Sequence, residues 1–301
     1  MPGGREDRGA MNIPRPAETL ASLGVRPSAR RGQAFLVRRE TGSRIAGVAS
    51  LDAGDAVLEI GPGLGALTDA LLGAAGRVVA VESDRRLAAW LRERFRGRAD
   101  FELIEGDALK IDLSALLRRM ASGGKRVKVV ANIPYSISGP LIARLVRLSG
   151  CWAMMALTVQ RELALRIAAE PGGKAYGAFT VLCRCRATAR EALTIAPGAF
   201  YPRPEVVSSV VVFAPLAVPV FPPAEEERLL AMVRLLFSQR RKSIGTVLRR
   251  SARGFPWAGR IEEAFAACGI DPAARPERLS PEEFNRLGEA LRRAGWGRWR
   301  T

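Results

Sequence analysis

Four apolar runs in the front half of the chain each stop at a polar or glycine-rich tip. Asp55–Ile60 gives way to Gly61-Pro62-Gly63-Leu64-Gly65, and residues 77–81 stop at Glu82. Residues 100–104 stop at Glu105-Gly106-Asp107-Ala108, and residues 127–131 stop at Asn132-Ile133-Pro134-Tyr135. Short apolar runs bounded by turn residues predict buried strands. Ala66–Leu72 reads as a helix between the first two, and another helical run starts at Leu141. Strands alternating with helices predict an α/β fold whose ligand crevice lies outside the strand ends.

The pattern continues as an apolar strand and a helix over 151–168, then a glycine-rich basic loop over 170–177 that contains Lys174. It is either a substrate loop or a plain surface connection. Residues 178–185, 191–195 and 206–213 read as further strands, with Phe200 held in a proline frame between the last two. A proline-rich linker over 215–223 precedes a change of period. Leu229, Met232, Val233, Leu236 and Phe237 then follow helical spacing, and Ser280 with Glu283 forms a capping box. The division expected is a flexible N-terminal extension over 1–28, an α/β domain over 29–218 and a small helical domain over 219–301. Either Met1 or Met11 serves as the start.

Charge adds a partner. The chain has 301 residues, with 47 Lys and Arg against 30 acids, a net charge of +17. Such an excess points to a polyanion, with nucleic acid first. Nine basic residues and no acid lie between Arg228 and Arg260, with Arg240-Arg241-Lys242 at the centre. With no histidine anywhere, Ser-His-Asp and Cys-His catalysis and histidine metal ligands are excluded, and no metal is expected. Cys151, Cys183, Cys185 and Cys268 form no C-x-x-C and read as reduced thiols. The first residues carry no apolar signal region and no run approaches membrane-spanning length, so a cytoplasmic protein without membrane contact is expected.

The strand tips carry the chemistry. Glycines at a strand-to-helix turn, here Gly61 and Gly63, let a ligand approach the backbone, and an acid ending the next strand, here Glu82, suits ribose hydroxyls. This fingerprint fits a nicotinamide, a flavin or S-adenosylmethionine. Asp107 is placed either to accept from an adenine amino group or to cap a turn. At the fourth tip the Asn132 side-chain carbonyl is an acceptor, Pro134 stiffens the loop and aims a backbone carbonyl, and Tyr135 offers a ring. Two acceptors and a platform suit an exocyclic amino group on adenine or cytosine. Phe200, if exposed, is a second ring for the opposite face of the base.

Taken in order, Gly32-Gln33-Ala34-Phe35-Leu36, Glu59 to Gly65, Asn132 to Tyr135, Lys174-Ala175-Tyr176-Gly177, Phe200 to Ser208 and Phe237 to Lys242 resemble the KsgA (RsmA) family of ribosomal RNA adenine dimethyltransferases. The resemblance spans about residues 28 to 290. It implies a Rossmann-like S-adenosylmethionine-dependent methyltransferase domain with a small C-terminal all-α domain. The activity implied is N6,N6-dimethylation of two adjacent adenosines near the 3′ end of small-subunit rRNA, with a role in small-subunit biogenesis. It implies that Gln33, Leu36, Gly61, Gly63, Glu82, Asp107, Ala108 and Asn132 hold the donor. Tyr135 and Phe200 would sandwich the adenine, the Pro134 carbonyl would join Asn132, and Arg240, Arg241, Lys242 and Lys174 would meet RNA on the immature subunit, the chain acting as a monomer. Ala34 departs from the family's usual Asn or His, which removes a polar contact to the donor. The alternatives are a large-subunit rRNA methyltransferase of the macrolide-resistance type and an assembly factor with weak catalysis.

Overall fold

The strands, in chain order, are β1 (Phe35–Leu36), β2 (Asp55–Ile60), β3 (Arg77–Glu82), β4 (Phe101–Glu105), β5 (Arg126–Asn132), β6 (Met154–Gln160), β7 (Ala187–Ile195), β8 (Phe200–Tyr201) and β9 (Ser208–Pro215). They belong to a computed structural model that describes residues 15–28, 32–124 and 126–296. Seven of them form one sheet in the order β4-β3-β2-β5-β6-β9-β7. Neighbours from β4 to β6 run parallel, while β9 runs antiparallel to both β6 and β7. All six residues of β2 are buried, as a parallel strand covered on both faces requires. The strand order reverses between β2 and β5, which places the tips at Gly61 and Asn132 side by side at the switch point.

Helices cover both faces. On one side Leu113, Leu117, Leu141 and Leu145 pack under Val129, Leu157 and Phe213. On the other, Ile45, Leu67, Leu71 and Leu91 pack over Val57, Val78 and Val130. A third core lies within the C-terminal helices, around Leu229, Met232, Leu236, Val247, Phe284 and Leu287. Ser280 caps the last of these helices, Pro281–Arg293, in a reciprocal box with Glu283. No helix among the described residues is long and apolar enough to cross a membrane.

Three expectations change. Residues 178–185 are not a strand: Ala178–Arg184 is a helix. It is buried on two sides, with Cys183 in the sheet core and Val181 and Cys185 in the helical core, so no polar face exposes its period. The helix also turns the two cysteines apart, where a strand would align them. All four cysteines are unpaired, as expected.

Residues 15–28 are not a loose extension. Pro16–Ser22 is helical, and Leu20 and Val25 are buried against Phe35, Leu64 and Leu87. Residues 1–14, with both candidate starts, lie outside the described residues.

The proline-rich 215–223 segment is strapped down rather than free. Leu216 N–H donates to Arg186, Val220 N–H donates to Cys185, and Phe221 is fully buried. The glycine-rich 170–177 loop is tied in the same way. Gly172 N–H donates to the Glu277 carbonyl at 2.6 Å, and the buried Tyr176 hydroxyl donates to the Leu279 carbonyl at 2.9 Å. Tyr176, Phe237 and Phe284 follow one another with ring centroids 6.1 and 6.0 Å apart. The Lys174 loop is therefore bolted to the C-terminal helices.

Candidate active site

The turn after β2 is built for close approach. Gly61, Gly63 and Gly65 hold φ of 70°, 60° and 88°, where a side chain is strained. A Cβ on Gly63 would also lie 2.8 Å from Cδ1 of Phe35, and one on Gly61 would lie 3.3 Å from Cδ of Pro134. The glycine turn thus fits between the N-terminal segment and the Asn132 loop.

Glu82 ends β3 with its carboxylate held by three backbone donors. Oε2 accepts from Gly63 N–H at 3.2 Å, and Oε1 accepts from Ser83 and Asp84 N–H at 2.9 and 3.0 Å. Burial raises its pKa and these bonds oppose the rise. Asp107 caps a turn and lines the cleft. Its Oδ1 caps Leu109 N–H at 2.9 Å, while the residue faces the same space as Glu82. Arg144 fixes the following loop by donating to the carbonyls of Ala108 and Ile111 at 2.8 and 3.0 Å.

At the fourth tip, Asn132 Nδ2 donates to the Ala34 carbonyl at 2.8 Å. Its Oδ1 is buried with no hydrogen-bond partner among the described residues. A buried amide oxygen left unpaired is costly unless a ligand completes it. Pro134 behaves differently from expectation, because its carbonyl accepts from Ile137 N–H at 3.1 Å and from the Ser138 hydroxyl at 3.3 Å. The turn that follows uses this oxygen. The carbonyl of the preceding Ile133 accepts no hydrogen bond among the described residues.

These tips line one cleft with about 870 Å³ of empty space, part of it open to solvent. Gln33, Leu36, Gly61, Gly63, Glu82, Asp107, Ala108 and Asn132 all line it. Gln33 Oε1 is also used locally, accepting from Ser28 N–H at 3.2 Å. Phe35, Leu87 and Ile137 line the cleft too. Nothing in the sequence marks Leu87 beyond its place on the helix after β3.

A family model for ribosomal RNA adenine dimethylase matches residues 27–292. The chain belongs to that family. Ribosomal RNA small subunit methyltransferase A of Geobacter sulfurreducens is 41% identical over 272 residues, covering 90% of this chain and 98% of the relative. The protein of the same name from Magnetococcus marinus is 42% identical over 269 residues, covering 89% and 93%. Among solved structures, the 23S rRNA methyltransferase ErmE superposes with a TM-score of 0.64 at 29% identity, covering 86% of this chain and 99% of that one. A dimethyladenosine transferase from Plasmodium falciparum superposes with a TM-score of 0.75 at 24% identity, covering 87% and 98%. The fold is that of a Rossmann-like methyltransferase with a C-terminal helical region.

The two expected platform rings stand apart from the cleft lining. Tyr135 is half-buried, and its hydroxyl shares a hydrogen bond of 2.7 Å with Ser208 Oγ. Burial raises its pKa, opposed by that bond. Phe200 is only 3% exposed and packs in the sheet core with Leu36 and Val210. The antiparallel pair of β1 and β8 sets Phe200 opposite Leu36, which turns its ring inward. It offers no open face in this conformation.

The acid-free run over 228–260 is less one-sided in space. Arg228 pairs with Glu225, Arg234 with Glu227 at 3.9 Å, Arg249 with Glu262 at 2.7 Å, and Arg260 with Glu263 at 3.1 Å. Arg240 donates to the Gly173 carbonyl at 3.3 Å and lies 3.8 Å from Glu277. Arg241 and Lys242 are exposed and in no ion pair among the described residues, and Lys174 is exposed in a groove it shares with Arg240.

Proposed function

We propose that this chain transfers methyl groups from S-adenosylmethionine to N6 of two adjacent adenosines near the 3′ end of small-subunit rRNA, in the immature subunit. The names of its relatives support the substrate class, and the buried, unpartnered Oδ1 of Asn132 supports the chemistry. The donor fits the cleft, because the glycine turn leaves the room that a Cβ would fill and Glu82 presents a fixed carboxylate to hydroxyl groups. Gln33, Leu36, Gly61, Gly63, Glu82, Asp107, Ala108 and Asn132 would hold it. Once bound, S-adenosylmethionine supplies an electrophilic methyl carbon on a good leaving group.

The chain's own task is alignment. Asn132 Oδ1 accepts one N6–H of the adenine. The carbonyl of Ile133, which accepts no hydrogen bond among the described residues, accepts the other in place of that of Pro134. Both bonds draw the amino nitrogen away from conjugation with the ring and free its lone pair. They strengthen as positive charge develops on nitrogen, so they act mainly in the transition state. After the first methylation the positively charged nitrogen releases one proton to solvent, a single N–H remains, and Asn132 is the acceptor fixed to receive it. Tyr135 flanks the base. Phe200 joins it only if the β8 segment turns its ring out. Arg241, Lys242 and Lys174 meet rRNA phosphates, while Arg240 sets the position of the Lys174 loop.

Transfer of radiolabelled methyl groups tests the reading, with immature small subunits, large-subunit rRNA and DNA as competing acceptors. Label confined to dimethyladenosine of small-subunit rRNA is expected. Label in large-subunit rRNA or DNA instead would overturn it.

A further inference from the structure

The ribbon formed by β1 and β8 sorts its four residues onto two faces. Leu36 and Phe200 are paired and both buried, while Phe35 is paired with Tyr201. Residues directly opposite in an antiparallel pair share a face, and successive residues alternate. Tyr201 therefore lies on the side of Phe35, a lining residue of the cleft, and away from the core that takes Phe200. It is 37% exposed, where Phe200 is 3%.

The chain leaves Tyr201 through Pro202-Arg203-Pro204, whose prolines fix two backbone torsions. The pairing ends at Phe35 and Tyr201, and the carbonyl of Ala34, just before Phe35, is the partner of Asn132. The ring thus stands beside Phe35, which lines the cleft, one residue along from the Ala34 carbonyl that holds Asn132. Arg203 is exposed and in no ion pair among the described residues. Glu205 is exposed as well, so the loop offers one cation and no basic track.

A ring with an open face and a nearby guanidinium, both on a stiff loop, recognise one nucleotide: the base stacks and the phosphate meets the cation. One ring covers too little area for a stable protein partner. We propose that Tyr201 stacks on the base next to the methylated adenosine, with Arg203 on its phosphate, and so positions the single strand. Tyr201 is a positioning residue, distinct from the expected pair of Tyr135 and Phe200. The inference rests on the rRNA reading above for its substrate.

Steady-state kinetics with immature small subunits test it, alongside calorimetric donor binding and thermal melting of each variant. Tyr201→Ala and Tyr201→Leu should raise KM for the subunit about tenfold while donor affinity and melting stay unchanged. Tyr201→Phe, which keeps the ring, should behave as the parent. An unchanged KM in Tyr201→Ala, or full rescue by Tyr201→Leu, would overturn the proposal, since the latter reports apolar packing rather than stacking. Equal loss of donor affinity would overturn it too. If the parent labels large-subunit rRNA or DNA instead, the small-subunit reading fails, and the same comparison on that acceptor still decides for or against Tyr201.

Discussion

Asn132 and Ala34 are joined by a side-chain-to-backbone hydrogen bond of 2.8 Å, and this bond decides which end of the Asn132 amide faces the cleft. The donor end is spent on the N-terminal segment and the acceptor end is left for a ligand. The contact uses the backbone of residue 34, so it survives the replacement of a polar side chain by Ala34.

Asn132→Ala should lower turnover on the order of a hundredfold or more, because it removes an acceptor used chiefly in the transition state. Donor affinity should fall much less. Single-turnover rates set against calorimetric donor binding check this, and equal losses in both would contradict the assigned role.

Gly63→Ala tests the cradle. The substitution strains a φ of 60° and drives a methyl to 2.8 Å from the Phe35 ring. A loss of roughly 1–2 kcal/mol in stability is expected from the backbone alone. Donor binding should weaken as well, since Phe35 lines the cleft and has to move. Denaturant midpoints and donor titrations read the two effects separately.

The basic tripeptide should split in its behaviour. Replacing Arg241 and Lys242 by Ser should weaken rRNA binding and flatten its salt dependence by about 0.7–0.9 in log–log slope for each phosphate that is no longer neutralised. Arg240→Ser should instead loosen the 170–177 loop, by removing the hydrogen bond to Gly173 and the charge beside Glu277, and lower the melting temperature. An identical salt response in both variants would show that Arg240 binds phosphate in the ordinary way.

Tyr176→Phe removes a buried donor and leaves the Leu279 carbonyl, in a residue only 2% exposed, without its partner. A cost of about 1–3 kcal/mol is expected, visible in thermal or urea unfolding.

Glu59 supplies a pH test. Its carboxyl is fully buried, and burial pushes its pKa up from the usual 4.5 to about 8, against the bond from Thr68 and with help from Asp69 and Glu82. The folded state then holds a proton that the unfolded state releases, so stability present below about pH 4.5 is lost as the pH rises towards about 8. Burial shifts Glu82 in the same direction. Unfolding free energy should therefore fall across this window, and Glu59→Gln should reduce the slope without abolishing it. Parallel slopes in parent and variant would contradict this.

The cleft was legible because each strand tip is marked twice, by the end of an apolar run and by the polar residue that follows. Gly61, Glu82, Asp107 and Asn132 converge for that reason. What stayed hidden depends on partners distant in sequence. The Pro134 carbonyl is consumed by a turn whose hydrogen bonds no composition reveals. The inward aim of Phe200 follows from the register of a two-residue ribbon. Half the basic run is neutralised by acids outside it, and the helix Ala178–Arg184 shows no clear period because both of its sides are covered.

That helix has a further consequence. Because Cys183 belongs to one core and Val181 with Cys185 to the other, no cut through the chain separates the two halves cleanly. A fragment ending near residue 218 would carry a raw oily stripe along Val181 and Cys185, and Tyr176 beside them would be stripped of cover. Such a truncated protein should clump on expression, and chimaeras that exchange the tail between relatives should succeed only when this short helix travels with it.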